Sequence, residues 1–71
     1  MRVYQVSGLD RAGAAVVFAT TDTASLAIMR LQEARVRYLR AWVSDETGLD
    51  VSVPDLIARA KEERRRQMPL N

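Results

Sequence analysis

The chain has 71 residues, 48% of them hydrophobic and 28% charged, a balance typical of one globular domain rather than a disordered segment. It contains no cysteine and no histidine, so it can form no disulfide and lacks the commonest nucleophile, general base and transition-metal ligands. The net charge of +2 is too small to indicate nucleic-acid binding by itself. We therefore expect a small, marginally stable protein without catalytic activity, cofactor or metal.

Neither a membrane span nor a signal peptide is predicted. No run of the sequence approaches the roughly 18 apolar residues that a span needs. The first residues, Met1-Arg2-Val3-Tyr4-Gln5, lack the long apolar core of a signal peptide. We expect a cytoplasmic protein that makes no membrane contact.

The first predicted element is a β-hairpin. Residues 2–7 and 14–20 are rich in Val, Tyr, Phe and Thr, and they flank a turn-forming segment in which Gly8 and Gly13 are expected to supply positive φ. The second strand carries no charge, proline or other device that discourages edge pairing. If it lies at a sheet edge, it is predicted to attract another strand near Val17.

A long amphipathic helix is predicted at residues 22–35. Apolar residues recur with helical spacing on one side, at Ala24, Ala27, Ile28, Leu31 and Ala34. We expect Ile28 and Leu31 to be buried against a sheet. Asp22 is the predicted N-cap, and Thr21 and Thr23 are alternatives.

A second hairpin and a second helix complete the chain. Residues 36–45 alternate, with Leu39, Ala41 and Val43 on one side and Tyr38, Arg40 and Trp42 on the other. A turn at 45–48 leads into a short strand at 49–51. Ser52 and Asp55 have the spacing of a capping box, so the second helix is expected to begin here. A frayed tail is predicted at 68–71.

The element order β-β-α-β-β-α predicts one α+β domain over residues 1–67. In the simplest packing, a two-layer domain, both helices cover one face of a four-stranded, largely antiparallel sheet. An alternative packing places the second helix on the opposite face. The first arrangement leaves one sheet face open and the second closes it, and the sequence does not choose between them.

The N-terminal pattern resembles that of a known family. The resemblance rests on Tyr4, Val6, Gly8, Asp10 and Gly13, followed by Ala27 and Leu31 at helical spacing. Over about the first 31 residues this looks like the start of type II secretion F-type domains and of small bacterial proteins with the same ββα pattern. The resemblance implies a fold and carries no functional residue.

Two groups of side chains are candidates for an interaction surface. Tyr38, Arg40 and Trp42 share one predicted strand face, and aromatic residues beside arginine are typical of proteins that read single-stranded nucleic acid. If the second helix covers this face, both aromatic residues are core instead. Leu26 and Met29 project away from the apolar side of the first helix, toward either the second helix or another chain.

Two charged clusters are better explained as solvated surface. Asp45, Glu46 and Asp50 lack calcium-loop spacing, so a turn braced by Asp45 is favoured over a cation site. The arginines at 64–66 follow Glu62 and Glu63, with which they are expected to pair along the helix.

The sequence thus favours a small interaction or accessory protein that works through a protein partner or as a homodimer. A dimer of micromolar affinity or tighter is expected to use Val17, Leu26 and Met29. The alternative is a nucleic-acid-binding module that uses Tyr38, Arg40 and Trp42. The exposure of Trp42 separates the two, because a buried indole cannot stack on a base.

Overall fold

A computed structural model describes residues 2–67, except for the side chain of Gln67, and confirms the predicted α+β fold. The elements are β1 (Tyr4–Leu9), β2 (Ala15–Thr21), α1 (Ala24–Arg37), β3 (Arg40–Ser44), β4 (Asp50–Val51) and α2 (Val53–Gln67). The strands form one antiparallel sheet with the order β2-β1-β3-β4. The tail predicted at 68–71 lies outside the described residues.

Both helices lie on the same face of the sheet, as in the first predicted packing. Tyr4 and Val6 of β1 point to this side and are fully buried, and Val43 of β3 pairs with Val6. Helix α1 packs over the three long strands, and α2 packs against α1. The guanidinium of Arg59 in α2 lies 5.8 Å from the centroid of the Tyr4 ring. No helix within residues 2–67 covers the other face of the sheet.

The core is small because alanine supplies much of it. Its buried hydrophobic residues are Tyr4, Val6, Ala24, Ala27, Leu31, Ala34, Val43, Val51, Leu56 and Ala60. Four of these ten residues are alanines, which bury little apolar area each. Leu31 is buried as predicted, but Ile28 is only half-buried and packs at the margin of the core.

The two hairpin turns share one sequence pattern, D-x-x-G, at residues 10–13 and 45–48. In each turn the aspartate carboxylate accepts hydrogen bonds from the backbone N–H groups two and four residues later. The glycines that close the turns, Gly13 and Gly48, have φ values of 82° and 86°. Only glycine adopts this backbone conformation without strain, so the turns follow from local sequence.

Gly8 has a different role from the predicted one. It lies inside β1, which continues to Leu9, and it does not have positive φ. Its neighbours on the adjacent strands are Val16 and Ala41. A Cβ atom at this position would lie 2.6 Å from Cγ of Tyr38. The glycine is therefore required because an aromatic ring packs directly on the strand backbone.

Helix α1 begins at Ala24, later than predicted, and Asp22 is not its N-cap. Thr23 takes that position, and its Oγ1 accepts a hydrogen bond from the N–H of Leu26 at 3.2 Å. Thr21, the other predicted alternative, is still the last residue of β2 and is therefore too early in the chain to cap the helix.

A second acceptor for the start of α1 comes from α2. The carboxylate of Glu63 accepts hydrogen bonds from the N–H groups of Ala24 at 2.7 Å and Ser25 at 3.3 Å. Glu63 therefore ties the two helices together and does not pair with the arginines that follow it, which corrects the prediction. The position is favourable because the N-terminus of a helix carries partial positive charge.

Glu63→Ala is expected to lower the free energy of unfolding by about 1–2 kcal/mol, because two partly buried N–H groups lose their acceptor. The matched control is Glu62→Ala, since Glu62 is exposed and makes no hydrogen bond among the described residues. This control is expected to stay within about 0.5 kcal/mol of the parent protein. Urea denaturation compares the three proteins, and equal losses in both variants would contradict the role of Glu63.

Candidate interaction surface

The uncovered side of the sheet brings together side chains from all four strands. Side chains alternate along a strand, so the residues between the buried positions of β1, and their neighbours across the sheet, point to this side. We call this surface the open face; it consists of Gln5, Ser7, Leu9, Ala15, Val17, Thr20, Arg40, Trp42, Ser44 and Asp50. Three of the predicted interaction residues, Val17, Arg40 and Trp42, lie within it.

A row of three side chains forms the centre of the open face. Ser7 of β1 pairs with Val17 of β2 on one side and with Trp42 of β3 on the other. Neighbouring strands lie about 4.8 Å apart, which places Val17 and Trp42 about 10 Å apart. Val17 is 55% exposed and Trp42 is half-buried, whereas Ser7 is only 6% exposed. The larger neighbours shield the serine, so this central row presents a mainly apolar surface.

The rows on either side of the central row carry opposite charges. On one side, Arg40 lies beside Leu9, which has Ala15 as its other neighbour. On the other side, Asp50 pairs with Ser44. Arg40 and Asp50 are both exposed. The open face therefore has a positive end, a negative end and an apolar middle.

Tyr38 does not belong to the open face, so the predicted grouping with Arg40 and Trp42 is wrong at this position. Strand β3 begins only at Arg40, and Tyr38 is the C-cap of α1. Its ring lies against Gly8 on the helix side of the sheet and meets Phe18 edge-on, with the centroids 6.0 Å apart. Trp42 keeps its predicted face, and α2 does not cover it because the helix packs on the other side.

Leu26 and Met29 lie on a second surface, the outer side of α1. Leu26 is 40% exposed and Met29 is 54% exposed, so neither is buried by α2. Val36, also on α1, is 87% exposed. Since α1 and the open face lie on opposite sides of the sheet, one flat partner surface cannot contact both groups.

Strand β2 lies at an edge of the sheet, so the condition for strand addition is met, but the strand is not as bare as predicted. Ser7 pairs with Val17 and Val6 pairs with Ala19, which leaves Phe18 as an extra residue in β2. Such a bulge increases the local twist and disturbs the spacing of the N–H and C=O groups. Bulges are one means by which proteins protect sheet edges, so strand addition at β2 is disfavoured.

The acidic turn after β3 is a structural brace, as predicted. The carboxylate of Asp45 accepts hydrogen bonds from the hydroxyl and N–H of Thr47 and from the N–H of Leu49. The hydroxyl of Thr47 contributes most to holding the pKa of Asp45 below its usual value. No acidic cluster in residues 2–67 has the arrangement of a metal site. None of the helices described is both long and apolar enough to cross a membrane.

Sequence reasoning named only three of the ten residues of the open face, and the members it missed include Ser7 and Leu9. The prediction of a loop at Leu9 depends on Gly8 being a turn residue, which it is not. The signal that identifies both is the alternation that continues from Tyr4 to Leu9, in which every second residue is buried on the helix side.

Comparisons with known proteins returned no match. A scan against protein-family models, a search of curated proteins and a search of solved structures were all negative. The resemblance to type II secretion F-type domains therefore stays a prediction.

Proposed function

We propose that this protein is a non-catalytic interaction module that works through its open face, by binding a protein partner or a second copy of itself. The supporting observation is the apolar central row on a sheet face that no described helix covers. Burying Val17 and Trp42 against another protein removes apolar surface from water, which favours association. A cytoplasmic setting is part of the proposal.

Val17→Lys is expected to weaken association, because it places a charged ammonium group in the apolar row. The matched control is Val36→Lys, which makes the same change at an exposed position on α1, on the other side of the sheet. Sedimentation across a hundredfold range of concentration is expected to show concentration-dependent mass for the parent protein and for Val36→Lys. The Val17→Lys variant is expected to stay monomeric.

Other outcomes of this experiment separate the possible surfaces. Equal dissociation by both lysine variants would show that the effect of Val17→Lys is not specific to the open face. Dissociation only by Leu26→Glu would place the contact on α1. Either result contradicts the proposal. If the parent protein is strictly monomeric, immobilised parent protein is expected to retain a protein from cell extract that Val17→Lys does not retain. A monomer that retains nothing more than Val17→Lys also contradicts the proposal.

Nucleic-acid binding is the alternative. It is favoured by Arg40 and Trp42, which lie two residues apart on the same face of β3. The position of Tyr38 on the helix side, away from the open face, and the presence of Asp50 on that face both disfavour nucleic-acid binding. Trp42 is the only tryptophan in the chain, so its fluorescence reports on base stacking at the open face. We expect no response to oligonucleotides at low salt. Micromolar binding that weakens with salt and with Arg40→Ala would reverse this ranking.

A further inference from the structure

We infer that the partner of the open face is a second copy of this chain, packed sheet to sheet about a two-fold axis along the central row. This inference rests on the proposed function of the open face and specifies its partner and geometry. Symmetric pairs are the commonest oligomers of soluble proteins, and their interfaces must be complementary to themselves. The open face meets that condition in its apolar residues and in its charges.

The apolar complementarity follows from the position of the axis. With the axis along the central row, each residue of the row faces its own copy. Val17 then meets Val17, and Trp42 meets Trp42, across the interface. Apolar groups therefore contact apolar groups, and Ser7, which is already shielded by its neighbours, loses little hydration.

The charge complementarity follows from the same rotation, because it exchanges the two rows that flank the axis. The row that contains Arg40 in one copy faces the row that contains Asp50 in the other. An axis parallel to the strands would instead place the Arg40 row against itself. Opposite potentials across an interface favour the correct register, so the charges select the axis along the central row.

The small core and the small area of the open face determine how strongly the two copies are expected to bind each other. A core in which four of the ten buried hydrophobic residues are alanines leaves a chain of this size in need of further apolar burial. Strands about 4.8 Å apart with about five residues each give a face of roughly 15 by 17 Å. This is roughly a third of the about 800 Å² per partner that stable interfaces bury, so we expect a weak, concentration-dependent dimer with an affinity no tighter than micromolar.

Cysteine cross-linking tests the geometry directly, because the chain has no cysteine of its own. Packed sheets lie about 10 Å apart, beyond the Cα separation of a disulfide, so a short bismaleimide is the suitable linker. Val17→Cys lies on the axis and is expected to give a covalent dimer. Thr20→Cys is the control. It lies on the same strand and face but off the axis, so it is expected to give no covalent dimer.

A mixed experiment supplies a second readout. Thr20 of one copy is expected to face Ala15 of the other, since the flanking rows exchange. A mixture of Thr20→Cys and Ala15→Cys is therefore expected to cross-link where Thr20→Cys alone does not. The emission of Trp42 is expected to shift to shorter wavelength as concentration rises, and Val17→Lys is expected to abolish the shift. The mixture also tests the geometry if Val17→Cys fails to fold.

Different results would contradict the proposed two-fold geometry and self-association itself. Suppose that sedimentation shows a dimer. If Thr20→Cys then cross-links as readily as Val17→Cys, or if Trp42 emission does not change, the geometry is overturned and self-association stands. A monomeric mass up to several hundred micromolar overturns the second copy as partner. Binding of an oligonucleotide or of a different protein to the open face then identifies the occupant.

Discussion

Leu31→Ala is expected to lower the free energy of unfolding by about 2–5 kcal/mol, because it leaves a cavity in a small core. Leu31 is only 4% exposed and lies among the buried residues on the helix side of the sheet. Many of the other core residues are alanines, which are too short to move into the space. Urea denaturation followed by circular dichroism measures the loss, with the parent protein and the variant compared at the same low concentration.

The matched control is Leu39→Ala, since Leu39 is 83% exposed in the connection between α1 and β3. This variant removes the same atoms from a solvated position and is expected to cost less than about 0.5 kcal/mol. A loss below about 0.5 kcal/mol for Leu31→Ala itself would mean that α1 does not pack on the sheet through this side chain.

Gly8→Ala is expected to destabilise the protein by about 1–3 kcal/mol, because the new methyl group overlaps the Tyr38 ring. A separation of 2.6 Å between such a Cβ and Cγ of Tyr38 is far shorter than a van der Waals contact. Cβ of Tyr38 would also lie only 2.9 Å away, and rotation about the side-chain bonds does not move that atom. Thermal and urea denaturation measure the effect.

A double-mutant cycle tests the cause of this loss. Tyr38→Ala removes the overlapping ring and also the contact with Phe18, so it is destabilising by itself. In the Tyr38→Ala background, Gly8→Ala is expected to cost much less than it does alone, giving a coupling between the two sites of at least about 0.5 kcal/mol. Additive effects would show that the glycine is required for another reason. Both positions lie on the helix side, so the cycle tests the fold independently of the open face.

The sequence predicted the elements that depend on short-range chemistry. The second helix begins after Ser52, whose hydroxyl accepts a hydrogen bond from the N–H of Asp55 at 3.3 Å. The turns that Asp10 and Asp45 begin are equally local, since each carboxylate binds N–H groups within four residues. These features need no information from the rest of the chain.

Predictions fail where one local pattern extends across the boundary of an element. The alternation that places Arg40 and Trp42 on one face also includes Tyr38, but α1 extends to Arg37 and Tyr38 caps it. No glycine or proline marks this helix end, so the sequence around it does not show where period 3.6 gives way to period 2. The local sequence likewise does not show that β1 continues through Gly8 to Leu9, and for this reason a turn is predicted there.

By itself, the sequence determined the order of the helices and strands, the two aspartate turns and the apolar side of α1, because each depends on residues within a few positions of one another. Only the tertiary structure decided that α2 packs beside α1 and leaves Trp42 on an uncovered face. The hydrogen bonds from Ala24 and Ser25 to Glu63 join residues 39 and 38 positions apart. The row of Val17, Ser7 and Trp42 likewise forms only when three strands pair. Such contacts depend on the register and packing of distant segments, which no local pattern encodes.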